Sequence, residues 1–318
     1  MIVSIVYGGF SSEKDMSTEN AHYIREALKE CGYETHLVPY EKNLVGTLRA
    51  LHTDIVYVCV QGKGHGDGTI QAILEQEGIP FTGSGSHAAA IINDKILCKL
   101  YFDRCGIRTP KWQILTREDF RNGNFDADAF GYPFVAKAPS EGGSFGIALV
   151  QNKEELPRLE GVFSYESPIL IEAFVPGSFY TIGILKRKGK VFTLPCVRGV
   201  ERQDGKDIDE PGKLKVFTGD YAVRESKLPK ETLSQMEELA KQAFGVTGAE
   251  DVARVDFMVS EEDKLPYVLE INAVPGLKPR SLFPGEAKAA GMSYQELIEG
   301  ILLSAWERTK EGGATNNV

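Results

Sequence analysis

The stretch LEINAVPG, residues 269–276, limits the fold of this chain more than any other. An apolar strand around Val268–Ile271 is interrupted by Glu270 and then Asn272, and Pro275 and Gly276 follow at once. Side chains two positions apart share one face of a strand, so a carboxylate and an amide stand side by side. The preceding run ARVDFMV, 253–259, alternates in the same way, with Arg254 and Asp256 on one face and Val255, Phe257 and Val259 on the other. Joined by SEEDKLP, the two runs predict an antiparallel hairpin with Asp256 opposite Glu270 and Arg254 opposite Asn272. A half-solvated hairpin accounts for any one of these residues alone. Directly opposed carboxylates, however, destabilise a strand pair unless positive charge sits between them. A hard divalent cation with oxygen ligands from Asp256, Glu270 and Asn272 supplies that charge, and magnesium is usually bound by few carboxylates together with substrate phosphates. Arg254 beside it is placed to stabilise charge that develops in phosphoryl or acyl chemistry.

A phosphate substrate needs its own cradle. KAPSEGGSFG, 137–146, offers Lys137 as a point charge and a glycine-rich turn whose backbone N–H groups can cover phosphates. The spacing is neither that of a P-loop, whose lysine follows its glycines, nor G-x-G-x-x-G. Glycine-rich hairpins are common, so the loop by itself fits a structural reading equally well.

The 318 residues, 42% hydrophobic and 25% charged, are enough for two or three globular domains. A net charge of −9 argues against nucleic acid and anionic membrane as partners and in favour of small solutes. Five scattered cysteines without C-x-x-C spacing suggest neither a disulfide framework nor zinc, and read as reduced core residues. The start MIVSIVYGG lacks a basic n-region, and no apolar run approaches the roughly 20 residues of a membrane helix, so a cytoplasmic protein is expected.

Along the chain, a strand at Val3–Tyr7, an amphipathic helix through Ala21, Ile24, Ala27 and Leu28, and strands near 34–38 and 54–60 give residues 1–86 the look of a parallel α/β domain. Residues 87–170 read as a central α+β domain: one helix carrying INDKILCKLYFDRCGI, the strand WQIL, and two strands flanking the glycine-rich loop. Residues 171–318 carry long strands around KRKGK, a polar stretch at 201–213, a helix near 229–244 and the 253–272 hairpin. The tail EGGATNNV has no apolar anchor and is expected to be disordered.

Taken in order, YGGFSSEKDMS, GDGTIQAILEQEGIPFTGS, NDKILCK, VAKAPSEGGSFG, ILIEAFVPG, ARVDFMV, LEINAVPGL, RSLFP and MSYQELI resemble the ATP-grasp enzymes and, within them, the D-alanine–D-alanine ligase family. The resemblance implies an α/β and α+β architecture of three domains with ATP between the central and C-terminal ones. It implies an ATP-dependent carboxylate–amine ligase acting through an acyl phosphate, with D-alanine as substrate and peptidoglycan as destination. Magnesium (Mg2+), with manganese (Mn2+) as the alternative, and a homodimer are implied too. Carried onto this chain, Lys95, Lys137 and Lys215 are the phosphate-side lysines, with the Ser144 region closing over the phosphates. Glu172 accepts from the adenine amino group, the backbones of Ala173 and Val175 read the adenine edge, and Met258 and Leu269 line the base. Asp256, Glu270 and Asn272 are the metal ligands, and Arg254 with the Gly276 backbone stabilises the tetrahedral intermediate. Glu13 holds the first amino acid's ammonium, while Ser281 and the Leu282 N–H clamp the second substrate's carboxylate. Read without the resemblance, Lys95 is a solvated helix residue, Glu13 a charge favoured by a helix N-terminus, and Ser281 a helix cap.

The chain departs from the family pattern on the amino-acid side. Gln61 stands where the pattern has a histidine, and Gly143 where it has the first of two serines. Val216 or Phe217 replaces the lid tyrosine, Phe179 replaces a glutamate that meets the ribose, and Lys278 and Arg280 add positive charge near the second-substrate clamp. His65, four residues beyond Gln61, is the alternative imidazole. These changes leave open a specialised ligase for another amino acid pair, one with an acidic second substrate among them. A nucleotide-binding regulator without turnover and a kinase that stops at the acyl phosphate are the readings from other classes. An altered lid is expected to let more ATP be hydrolysed without product.

Overall fold

Three β-sheets organise the chain in the computed structural model, which describes residues 1–62, 64, 66–143, 145–203, 206–208 and 221–313. The first is parallel, β1 (Ile2–Tyr7), β2 (Glu34–Pro39) and β3 (Ile55–Val58) in the order β2-β1-β3, with helices α1 (Lys14–Glu30), α2 (Leu44–Ala50) and α3 (Thr69–Gln76). Its βα pattern is the one the apolar periodicity predicts, since Ala21, Ile24, Ala27 and Leu28 of α1 are buried against Val3 and Ile5 of β1.

The single helix expected from INDKILCKLYFDRCGI is two, α4 (Ser86–Asn93) and α5 (Lys95–Arg104). Asp94 between them is extended, and its carboxylate accepts from the Ile96 and Leu97 N–H groups, so a strong N-cap overrides a continuous apolar period. The second sheet is antiparallel throughout: β4 (Trp112–Leu115), β5 (Phe134–Lys137), β6 (Ile147–Val150) and β7 (Ile169–Ala173), ordered β4-β7-β5-β6, with short helices α6 (Arg117–Arg121), α7 (Ala127–Phe130) and α8 (Leu159–Phe163). β7 crosses position 170, where the sequence reading ends the central segment.

The third sheet comprises β8 (Gly177–Arg187), β9 (Lys190–Thr193), β10 (Val197–Gln203), β11 (Lys206–Ile208), β12 (Tyr221–Glu225), β13 (Val252–Ser260) and β14 (Pro266–Asn272), ordered β11-β10-β8-β13-β14 with β9 on β8 and β12 on β10. Helices α9 (Lys230–Thr247), α10 (Leu282–Ala289) and α11 (Tyr294–Gly313) complete the chain. Packing does not follow chain order. Ile92 of α4 and Phe102 of α5 share a core with Met236 and Phe244 of α9 and Val255 and Phe257 of β13, so α4 and α5 cover the third sheet. Leu297, Ile298, Ile301 and Leu302 of α11 pack back onto β1 and α1. Asp251 fastens this closure: its carboxylate accepts from the Gly83 N–H at 2.8 Å and pairs with Arg308 of α11 at 2.9 Å.

Cys59, Cys98 and Cys196 are free and buried, as a core reading requires, but Cys31 is half-buried and Cys105 exposed, so not all five belong to the core. α11 continues to Gly313, which makes the first residues of the expected disordered tail helical; 314–318 lie outside the described residues. No helix among the described residues is long and apolar enough to cross a membrane.

Candidate functional site

A cavity of about 610 Å³ opens between the second and third sheets and reaches the loop after β1. Its floor is the β13–β14 hairpin, in the predicted register of Arg254 opposite Asn272 and Asp256 opposite Glu270. The Arg254 guanidinium grips Asp256 bidentately, with both N–H···O distances 2.7 Å, and the Asn272 amide nitrogen donates to Asp256 Oδ2 at 3.1 Å. Just beyond Asp256 the register shifts, so that Phe257 faces Val268 and Leu269 is the extra residue of a β-bulge. Simple alternation would turn Leu269 away from Glu270. With the bulge, Leu269 and Glu270 both line the cavity, as does Met258 two residues beyond Asp256.

Burial raises the Asp256 carboxyl above its ordinary range although Arg254 opposes this. Glu270 is also raised by burial, but Lys95, Lys137 and Arg254 together outweigh that and hold it low. No cluster of three or more His, Cys, Asp or Glu suited to a metal occurs among the described residues. The set here is two opposed carboxylates and an amide, which fits a hard cation whose other oxygens come from phosphate and water. For Asn272 to present oxygen to such an ion, its amide must turn over, because its nitrogen now faces Asp256.

The lysines stand around this floor. Lys95, at the start of α5, has a side chain only 12% exposed, 3.7 Å from Glu270, and donates to the Glu141 carbonyl at 2.6 Å, so it is not a solvated helix residue. Lys137, at the end of β5, donates to Glu172 of β7 at 3.1 Å. Glu172 is buried, and burial raises it, but Lys137 and Lys99 together leave it below its ordinary range. Ala173, Phe174 and Val175 continue from it along the wall, and the Ala173 N–H is given to the Lys111 carbonyl. Phe179 lies opposite Met258 in the β8–β13 register, and both line the cavity.

At the other end, Glu13 occupies the N-cap position of α1 and Ser281 that of α10, yet neither side chain caps its helix. Both line the cavity. Burial raises the Glu13 carboxyl, with Lys95 opposing. Glu13 presses on the glycine-rich loop so closely that a Cβ on Gly142 would lie 2.5 Å from its Oε2. A Cβ on Gly276 would lie 3.4 Å from Ser281 Oγ, and the Leu277 N–H after it is held by Asn20 of α1 at 3.0 Å.

Gln61 is buried and donates from Nε2 to the Val274 carbonyl at 2.5 Å, while its Oε1 has no donor among the described residues. Gly143 adopts φ +57°, a left-handed conformation that costs an L side chain roughly 1–2 kcal/mol, so a serine there would alter the backbone as well as add a hydroxyl. Lys278 is turned to Glu19 at 2.6 Å, and neither Lys278 nor Arg280 lines the cavity. Ser144, Lys215, His65, Val216 and Phe217 lie outside the described residues.

Two buried residues escape the sequence reading. Lys99 is fully buried behind Glu172, with Nζ 2.8 Å from Glu172 Oε2. The signal was its i, i+4 spacing from Lys95, which places both on one side of α5. Glu286 of α10 is fully buried, accepts from the Thr181 hydroxyl, and is pushed up to about 8 chiefly by burial. Its signal was a position on the buried face with Leu282, Phe283 and Ala287.

The family model described as D-ala D-ala ligase C-terminus matches residues 101–303. The D-alanine–D-alanine ligase of Halalkalibacterium halodurans is 33% identical over 304 residues, covering 94% of this chain and 97% of that protein. That of Geobacter sulfurreducens is 34% identical over 316 residues, covering 98% and 96%. The crystal structure of D-alanine–D-alanine ligase from Bacillus anthracis complexed with ATP superposes with a TM-score of 0.81 at 29% identity, covering 98% of this chain and all of that one. With three sheets arranged in the ATP-grasp fold around one cavity, and relatives aligned over nearly its whole length, the chain belongs to the D-alanine–D-alanine ligase family.

Proposed function

We propose that the chain is an ADP-forming ligase that joins two D-alanines for peptidoglycan synthesis. The observation that carries this reading is the opposed Asp256–Glu270 pair, clamped by Arg254 and ringed by Lys95 and Lys137, in a cavity that also holds Glu13 and Ser281. Lys95 and Lys137 bind the phosphates of ATP, and the apolar wall at Phe174, Met258 and Leu269 takes the adenine, with Glu172 accepting from its amino group. Asp256, Glu270 and Asn272 would hold magnesium, which would supply neutralising charge at the phosphates. Glu13 holds the ammonium of the first amino acid, so that its carboxylate attacks the γ-phosphorus and ADP leaves. The free amine of the second amino acid then attacks the acyl carbon, the bond from that carbon to the phosphate oxygen breaks, and the nitrogen's proton leaves with the departing phosphate. Arg254 and the Gly276 N–H stabilise the oxyanion formed between these events. The second carboxylate rests on Ser281 and the N–H groups opening α10, which have no intrahelical acceptor. Positioning and charge neutralisation carry both steps, without a nucleophilic side chain.

The three-segment division at 86 and 170, a cytoplasmic location and a homodimer belong to the same reading, and sedimentation tests the last. A second reading, a ligase for a different amino acid pair, is favoured by the neutral Gln61, which lines the cavity together with Glu13. Incubation with ATP, magnesium and single or paired amino acids, with phosphate assay and mass spectrometry, separates the two. One D-alanyl-D-alanine per phosphate supports the first; a dipeptide from another pair, with none from D-alanine, refutes it. Hydroxylamine trapping of an acyl phosphate with no dipeptide from any pair would mark a kinase instead.

A further inference from the structure

We propose that Lys99 is a positioning residue for nucleobase choice, holding the Glu172 carboxylate ionised and oriented so that only a 6-aminopurine satisfies it. The proposal rests on the reading of the cavity as a nucleotide site. An ammonium with no solvent exposure is costly unless paired and hydrogen-bonded, and Lys99 meets both conditions. It pairs with Glu172 at 2.8 Å and donates to the Thr109 hydroxyl, whose own proton is committed to the Val268 carbonyl at 2.8 Å. Thr109 is thereby fixed as an acceptor, and the lysine head cannot turn.

Glu172 has a second cation in Lys137, but Lys137 reaches the cavity, where phosphate oxygens compete for it. When Lys137 turns to a phosphate, Lys99 is the charge that remains. Without it, a buried carboxylate beside an apolar wall would take up a proton. Protonation would reverse its hydrogen-bonding sense, because an ionised carboxylate only accepts whereas a protonated one also donates. Glu172 Oε2 is held by Lys99 at 2.8 Å, whereas Oε1 is held by Lys137 at 3.1 Å and is released when Lys137 turns to a phosphate. Glu172 lines the cavity together with Phe174, Val175, Met258 and Leu269. An adenine amino group takes the released acceptor. The 6-oxo group of inosine would set oxygen against oxygen, and sites with buried polar groups reject ligands that leave those groups unpaired.

The test compares kcat/KM for ATP and ITP in the full chain with magnesium and D-alanine. The wild type is expected to prefer ATP. Lys99→Met should lower the ATP/ITP ratio about tenfold or more, equivalent to ~1.4 kcal/mol, mainly through KM for ATP. If the single variant does not fold, Lys99→Met/Glu172→Gln removes both charges together and should bring the ratio to within about threefold of unity, because an amide both donates and accepts. A ratio unchanged from wild type in whichever variant folds overturns the proposal, as does equal use of both nucleotides by the wild type. Failure of the wild type to turn over with any nucleotide overturns the nucleotide reading and this inference with it, an outcome distinct from an ATP-dependent wild type whose variants keep its base preference.

Discussion

Glu286→Gln should stabilise the protein at neutral pH and flatten part of its pH dependence. Glu286 is fully buried, is held by the Thr181 hydroxyl, and keeps its proton to about pH 8 against an ordinary value of 4.5. Arg254 favours its ionised form and Asp256 disfavours it, and neither outweighs burial. Below about pH 4.5 the folded and unfolded chains both carry this proton. Between 4.5 and 8 the unfolded chain releases it while the fold retains it, so stability falls as pH rises and levels off above 8. A span of about 3.5 pH units at ~1.36 kcal/mol each makes the loss ~5 kcal/mol. Glutamine cannot ionise, and its amide nitrogen takes the place of the carboxyl O–H. The variant should therefore gain ~3 kcal/mol over wild type at pH 7, less ~1 kcal/mol for imperfect hydrogen bonding. Glu13, Asp251 and Asp256, raised like Glu286, and Glu172 and Glu270, lowered, are common to both proteins and largely cancel in the difference. Urea unfolding from pH 4 to 9 reads that difference directly. A stability difference that does not widen between pH 5 and 8 would show that Glu286 ionises in the fold as readily as in the unfolded chain.

Arg254→Lys breaks the bidentate grip on Asp256 and removes a fixed donor, so dipeptide formation should fall by about 10²–10³ in kcat; a loss under tenfold in steady-state kinetics would exclude Arg254 as the oxyanion partner. Gly142→Ala should leave the urea midpoint nearly unchanged, since the nearest atoms to the new Cβ are those of the Glu13 carboxylate at the end of a flexible side chain, yet raise KM for the first amino acid by displacing that carboxylate; an unchanged KM would remove Glu13 from substrate binding. Chelation should abolish turnover, with magnesium or manganese restoring it, and Glu270→Gln should raise the metal concentration needed for half-maximal rate. Titration of both proteins with magnesium checks this, and identical curves would exclude Glu270 as a ligand.

The parts of the site that were legible in the sequence are those governed by a local period. Alternation in ARVDFMV and LEINAVPG was enough to pair Asp256 with Glu270, because a slip of one residue would have turned the whole apolar set outward. Asp94 shows where periodicity misleads: the apolar pattern runs through it unbroken, but a short acidic side chain captures two N–H groups and starts a new helix. Glu13 and Ser281 have residue types and positions that suit a cap, and only the direction of their side chains separates a cap from a cavity wall. Lys99 was hidden for another reason. Its partners Glu172 and Thr109 lie 73 and 10 residues away, and the burial that gives the lysine meaning comes from sheet packing.

The bulge at Leu269 joins these two kinds of information. An adenine site needs apolar wall, a metal site needs carboxylate, and a strict strand cannot turn adjacent residues to the same side. One extra residue in β14 brings Leu269 round beside Glu270, so that both line the cavity from consecutive positions. On the proposed reading this sets the wall for the base next to the ligands for the metal, within the length of one nucleotide. Deleting Leu269 would restore regular pairing toward Val268 and should therefore impair nucleotide binding while Arg254, Asp256 and Glu270 keep their register. Equilibrium binding of a fluorescent ATP analogue to the deletion variant measures this, and undiminished affinity would mean that the bulge serves the strand and not the ligand.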